Sequence, residues 1–232
     1  MINFKIPTSS ESYIVFQRTS YKSLLGRLME KLKLGRFYNK YIASAVEGLR
    51  SSKIEKKYSD DIRSDYEQIK NHLPKKAVNI IDIGSGMAGI DVFLYNHYKA
   101  YDPNISLLDK QGVSEIYYNF ESSAAYYNSF NLAKELLNIN GVPNEKINTI
   151  NIDKDKFPNE YKFDLVISLI SWGFHYPIST YLKEVRESLS QDGRLIIDVR
   201  KDTTGEKELR KAFNNVEVIS NNQKYLRLVC YN

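Results

Sequence analysis

Cysteine is nearly absent from this chain. Its 232 residues hold one, Cys230, in an apolar run near the C-terminus. One thiol closes no internal disulfide, which fits a reducing compartment. A chain of this length buries roughly 70–75 % of its unfolded surface and needs no covalent or metal staple. Histidine is scarce, with three, and tryptophan occurs once. No apolar run approaches the ~20 residues of a membrane span. The first residues, MINFKIPTSSES, lack the apolar centre of a signal peptide. The expectation is a cytoplasmic protein built on one ordinary core with an extension.

Charge is plentiful and unevenly placed. The formal net charge is +5, yet residues 1–77 carry 16 Lys and Arg against 8 Asp and Glu. The remaining residues are slightly acidic. A basic first third attracts phosphate, an acidic sugar, nucleic acid or an anionic membrane surface. A solvated helix face explains it equally well.

Periodicity divides the chain near Pro74. Before it, residues 19–34 read as an amphipathic helix with Leu24, Leu25, Leu28, Met29 and Leu32 on one stripe. A second helix follows to about 51, and a third covers about 59–73. Residues 1–74 therefore form a helical extension or cap. The first helix, with Lys22, Arg27, Lys31 and Lys33 on its polar side, is also suited to lying on a membrane. Packing on the following domain is the favoured reading, because the stripe lacks Trp and Phe. From 75 to 232, strands and helices alternate. Strands are expected at about 78–83, 105–109, 147–152, 163–168 and 194–199, with helices at about 88–97, 123–139, 178–190 and 205–213. Two last strands, about 215–220 and 225–231, are joined so briefly that they must be antiparallel. The fold class is α/β: a doubly wound, mostly parallel seven-stranded sheet with a C-terminal antiparallel hairpin and an N-terminal helical extension.

The most telling stretch is Val78 to Phe93, VNIIDIGSGMAGIDVF. An apolar strand ends in Asp82, glycines follow at 84, 86 and 89, and helical spacing resumes. Glycine lets the backbone turn and approach a ligand with no Cβ in the way. Gly89 is expected to let the new helix pack against the strand. The Asp82 carboxylate suits a cationic ligand better than a pyrophosphate. Here the chain resembles the class I S-adenosylmethionine (SAM) dependent methyltransferases, whose loop has an acidic residue, one intervening residue and then glycines. The third glycine departs from the commonest form, since Met87 stands where it is usual.

The resemblance covers about residues 75–232, which would be the SAM-binding methyltransferase domain, and implies what each strand end offers. Asp82, Gly84, Ser85 and Gly86 would hold the amino-acid end of SAM. Asp109, at the end of the second strand, would accept from the ribose diol. Asp153 would accept from the adenine amino group, with Asp155 close by as a rival. Ser168 would flank the methionine part. The segment Ser171-Trp172-Gly173-Phe174-His175-Tyr176-Pro177 would pass under the transferable methyl group. His175 is the candidate general base, and a helix-start histidine bonded to backbone is the equal alternative. Trp172 and Tyr176 would line the acceptor, and Arg200 would hold its phosphate or carboxylate. Tyr13, Gln17 and Arg18 are candidates to close over the cofactor. The Asp-Asn pair of metal-dependent catechol-type enzymes is missing, because Asp198 is followed by Val199 and Arg200, so no metal is expected.

That segment is similar to one in methyltransferases encoded among bacterial surface-polysaccharide genes. The implied activity is O-methylation of a small or sugar- or phosphate-type acceptor in polysaccharide (capsule) biosynthesis. Two alternatives stay open. One is an RNA methyltransferase that binds through the basic helices. The other is an NAD(P)-dependent oxidoreductase, which the glycine spacing allows and the closing hairpin opposes. Oligomeric state is not readable.

Overall fold

The computed structural model describes residues 3–8, 10–17, 49–113 and 127–232, with isolated positions between 21 and 32. The helices expected at 19–34 and 38–51 lie almost wholly outside those residues. Of the expected apolar stripe, Leu25, Leu28 and Leu32 are described, and all three are exposed rather than packed on the domain.

Seven strands form one sheet: β1 (Asn79–Ile83), β2 (Asn104–Asp109), β5 (Ile147–Asn151), β6 (Phe163–Ser168), β8 (Leu189–Arg200), β9 (Asn215–Asn221) and β10 (Tyr225–Tyr231). A two-residue antiparallel ladder joins β3 (Gly112–Val113) to β4 (Tyr127–Asn128). The segment β7 (Ser171–Tyr176) is extended. Sheet order is β5-β2-β1-β6-β8-β10-β9. The pairs among β5, β2, β1, β6 and β8 are parallel. β10 runs against both β8 and β9, with a bulge between Arg227 and Leu228. Six strands thus point one way and one the other. β1 and β6 lie in the middle and are buried on both sides, which is why they read as near-continuous apolar runs.

Among the described residues the α-helices with defined bounds are α1 (Glu11–Gln17), α2 (Ser51–Ile69), α3 (Gly89–His97), α4 (Phe130–Ile139), α5 (Leu182–Ser188) and α6 (Gly205–Ala212). The two faces of the sheet bury separate clusters. Ile80, Ile105, Leu165 and Ile196 face Ile14 of α1, Ile62 and Ile69 of α2, Val92 of α3 and Leu136 of α4. Ile81, Val166, Ile197 and Leu228 face Trp172, Ile178, Val185 of α5 and Leu209 of α6. The extension therefore shares one core with the sheet. α2 starts at Ser51, earlier than expected, because Ile54, Tyr58, Ile62, Asp65 and Ile69 form a single buried stripe at helical spacing. β8 also starts early, at Leu189, and its register against β6 slips between Phe163 and Leu165, which absorbs the Asp192-Gly193 turn.

One set of charges interrupts the first face. Arg227 of β10 is wholly buried. It donates to Asp198 of β8 at 2.7 and 2.9 Å and to Asp65 of α2 at 3.0 Å. Burial opposes its charge, but the two carboxylates more than compensate and raise its pKa. Asp198 also accepts from the Ile170 backbone N–H at 3.2 Å. Ile170 has a φ of 52°, which a β-branched residue rarely adopts. The ion cluster thus joins extension, sheet and the segment after β6. Arg227→Met would leave Asp198 buried without its counter-ion. We expect that variant to lose about 3–5 kcal/mol of stability, read as a fall in the urea unfolding midpoint at unchanged slope.

Candidate active site

In an open α/β sheet the binding crevice lies past the carboxyl ends of the strands, where the strand order reverses. Here that point lies between β1 and β6, since the chain winds outward to β2 and β5, then returns to β6. Ser168 closes the floor. Its hydroxyl donates to the Ile83 carbonyl at 2.7 Å and accepts from the Trp172 N–H at 3.0 Å. Both its bonds are internal and it is fully buried, so its side chain staples β1 to the next segment.

The glycine turn is held from above and from the side. Gly84 (φ +75°) and Gly86 (φ +52°) lie in the left-handed region. A Cβ on Gly84 would lie 1.7 Å from the Ser171 hydroxyl oxygen, and one on Gly86 2.8 Å from the Gln17 side-chain oxygen. Gln17 ends α1, so the extension reaches the loop. Tyr13 is half-buried against the core, and Arg18 lies outside the described residues. Gly89 has another function than expected: a Cβ there would strike the Tyr58 hydroxyl at 2.4 Å. It makes room for α2, not for the strand.

Carboxylates crowd the strand ends. Asp109, ending β2, accepts from Gly86 N–H at 2.8 Å and from Lys110 N–H at 2.7 Å. Burial nonetheless pushes its pKa up to about 6 against those bonds. Asp82, ending β1, is 4 % exposed. Burial, then the charges of Asp91 and Asp109, hold its pKa well above the carboxylate range. Asp91, on the first turn of α3, is fully buried, and among the described residues no N–H or O–H donates to its oxygens. Burial raises it to about 7. The sequence reading missed Asp91, although an acid among Ile90, Val92, Phe93 and Leu94 is a legible oddity. Ser85 Oγ and both polar atoms of the Asn128 amide are likewise buried without partners. Such orphaned groups and the paired negative charge fit a polar cationic ligand.

Asp153 lies further along the rim, in an ion pair with Lys110 at 3.1 Å. Both it and the rival Asp155 belong to the turn after β5: the Asp153 N–H donates to Asn151 Oδ1 at 3.2 Å, and Asp155 accepts from the Asn151 N–H at 2.8 Å. Between these carboxylates and the core stands an aromatic wall that the sequence reading also missed. Tyr181 packs on Phe157, Trp172 and Tyr176 with centroids 5.9–6.2 Å apart. Its pKa is raised to about 12 by burial and by Asp109 and Asp153.

The segment after β6 divides its residues differently from expectation. Trp172, expected against the acceptor, is fully buried, and its indole N–H donates to the Ile178 carbonyl at 3.0 Å. It is a core residue. The Tyr176 hydroxyl lies 3.8 Å from a Cβ built on Gly84, which places it with the glycine loop. Burial raises its pKa, and Asp109 and Asp82 add to the rise. His175 is half-buried, edge-on to Phe174 at 4.8 Å, and belongs to an extended segment rather than a helix start. The Arg200 guanidinium also lies over the Phe174 ring, 5.4 Å from its centroid. It lines a cavity of about 460 Å³ with Pro177, Asp202, Thr203, Gly205 and Glu208.

No family model matches the chain, and no curated protein matches it in sequence. Solved structures do match. A precorrin-6y C5,15-methyltransferase of Geobacter metallireducens aligns with a TM-score of 0.52 at 12 % identity, over 74 % of this chain and 87 % of that one. A provisionally assigned O-methyltransferase of Nostoc punctiforme gives 0.52 at 12 % identity, over 97 % and 72 %. A 16S rRNA methyltransferase of T. thermophilus, solved with AdoMet and guanosine, gives 0.50 at 10 % identity, over 72 % and 41 %. The fold is that of the class I methyltransferases. At such identities the likeness speaks for architecture alone. In this fold Asp82, Asp109 and the glycine loop stand at the reversal point of the strand order, where the sequence placed them. Among the described residues no cluster of His, Cys, Asp and Glu has the grouping of a metal site, and no helix is long and apolar enough to cross a membrane.

The raised acids make stability depend on pH in a stated direction. A carboxyl with a folded pKa near 7 and an unfolded one near 3.9 favours the folded state fully below the lower value and loses that contribution as pH rises through the upper. The protein without ligand should therefore weaken between about pH 4 and pH 8. Asp91→Asn should remove part of that slope and stabilise the fold at pH 8, by on the order of 2–4 kcal/mol, with little gain at pH 4. Melting curves of both proteins across that range test it.

Proposed function

We propose that this chain is a cytoplasmic SAM-dependent methyltransferase that methylates an oxygen of a small, sugar- or phosphate-type acceptor in bacterial polysaccharide (capsule) biosynthesis. One observation carries the cofactor reading: two buried carboxyls, Asp82 and Asp91, and the half-buried Asp109 meet a glycine turn at the reversal point of the sheet. A cation is the ligand that lowers their joint cost of burial. The polysaccharide role rests on the resemblance of the Ser171 to Pro177 segment alone.

When bound, SAM supplies a sulfonium whose methyl carbon is open to attack by a nucleophile. Asp109 would hold the ribose hydroxyls, Asp153 the adenine amino group, and Tyr181 the flat face of the base. Asp82, with the Gly84–Gly86 loop, would hold the amino-acid end. Tyr176 and Ser171, over Gly84, would close that side against water. His175 would take the acceptor's hydroxyl proton as the oxygen bonds to the methyl carbon and the carbon–sulfur electron pair stays on sulfur. Arg200 would hold an anionic group of the acceptor in the neighbouring cavity. Most of the acceleration would come from alignment, with roughly 10²–10⁴ from the base.

The uneven charge supports a second reading, an RNA methyltransferase whose basic first third tracks phosphates. RNA affinity would then fall steeply with salt. A nicotinamide reading is disfavoured by the acids that stand where a pyrophosphate would lie.

S-Adenosylhomocysteine (SAH) at a hundredfold excess over its Kd should raise the melting temperature by about 5–10 °C, and NADH should not. No shift with SAH or SAM would refute the cofactor reading. Asp109→Ala should weaken SAH roughly 10- to 100-fold. His175→Ala should keep SAH affinity and lower kcat by about 10²–10⁴. Full turnover in that variant would remove His175 from the chemistry and leave the cofactor reading intact.

A further inference from the structure

We propose that Asp82 and Asp91 share one proton in a buried carboxyl pair, and that the ammonium of the donor's amino-acid end expels that proton on binding. This rests on the SAM reading and goes beyond it, because it gives Asp91 a task and makes cofactor capture a proton-coupled step.

The geometry comes first. Asp91 is on the first turn of α3, directly after the glycine loop, and is 0 % exposed. Its neighbours in sequence, Ile90 and Val92, are buried in the core, so a leucine or asparagine would fill its place at lower cost. Among the described residues no N–H or O–H donates to its oxygens, which meet the Asp82 carboxyl instead, and Ser85 Oγ is buried without a partner. A buried acceptor left in that state costs roughly 1–3 kcal/mol. Such a cost without local return points to a partner brought from outside.

The surrounding charges fix which partner. Those acting on Asp82 are Asp91 and Asp109, and the one acting on Asp91 is Asp82. Tyr176 faces them from β7, and the Tyr58 hydroxyl of α2 meets α3 at Gly89. Lys110 acts on Asp109, beside its backbone bond to the same carboxylate. Among the described residues no basic side chain is one of the groups acting on the pair. Two carboxylates this near cannot both ionise in a low-dielectric setting, so one proton stays. A cation placed against Asp82 removes the reason for it. Asp91 is then a positioning residue: it acts through Asp82 and touches no reacting atom.

The test is calorimetric titration of the wild-type protein with SAH at pH 6.5, in two buffers of different ionisation heat. SAH keeps the ammonium and lacks the sulfonium, so it isolates the amino-acid end. Release of about one proton per SAH is expected, with affinity improving up to about tenfold per pH unit between pH 5.5 and 7 and levelling above. Methylthioadenosine, which has the nucleoside and no amino acid, should bind without that release. Asp91→Asn should bind SAH with at most about a third of the wild-type release and a flattened pH profile. Binding of SAH with no proton release overturns the inference and leaves the cofactor reading standing. Equal release with methylthioadenosine, or an undiminished release in Asp91→Asn, also overturns it by moving the proton to Asp109 or elsewhere. If wild-type protein gives no heat with SAH in either buffer, the SAM reading itself falls and this inference falls with it.

Discussion

Arg227 is the charge around which the molecule is arranged. A guanidinium with no solvent exposure is tolerable only because two acids from distant parts of the chain meet it. Asp198 comes from the neighbouring strand, and Asp65 comes from α2. The cluster therefore does two things that apolar packing would do less selectively. It fixes α2 in one register against the sheet, because a turn of slip would strand Arg227 next to hydrocarbon. It also fixes the backbone at Ile170 through the Asp198 carboxylate, and Ile170 begins the segment that carries Ser171, His175 and Tyr176.

A second group of acids solves the opposite problem. Asp82, Asp91 and Asp109 lie on the other side of the sheet's midpoint with no arginine among them. In the first cluster the counter-charge is built in, and the result is rigidity. In the second no counter-charge is built in among the described residues, and the result is appetite for a ligand. The same residue type, buried to a similar degree, is structural in one place and receptive in the other. The difference lies in what the facing strand presents: Arg227 in one case, another carboxylate in the other.

Much of this was legible from residue order. The strands were found because β1, β2 and β6 are buried on both faces and so read as apolar runs. The antiparallel end was found because Asn221 and Asn222 leave no room for a crossover. Asp82, Asp109 and the glycines were found because their spacing expresses a chemical demand. What failed to show was set by contacts distant in sequence. Nothing local says that Gly89 faces Tyr58, that Trp172 spends its indole N–H on Ile178, or that Arg227 meets Asp65 across 162 positions. Nor does anything local say that β7 brings Ser171 and Tyr176 over Gly84. Asp91 was overlooked because helical periodicity draws attention to the apolar positions and passes over the misfit among them.

The outer strand β9 has one more consequence. It ends the sheet with mostly uncovered side chains, Val218 among them, and carries an extra residue, Ile219, opposite the step from Arg227 to Leu228 of β10. An open flank of this kind would ordinarily offer its free amides and carbonyls to a further strand and seed stacking of molecules side by side. Here the extra residue in β9, Ile219, breaks the pairing rhythm of the hairpin, and Glu217 adds a negative charge along it. That extra residue roughens the rim and makes the molecule a poor template for its own copies.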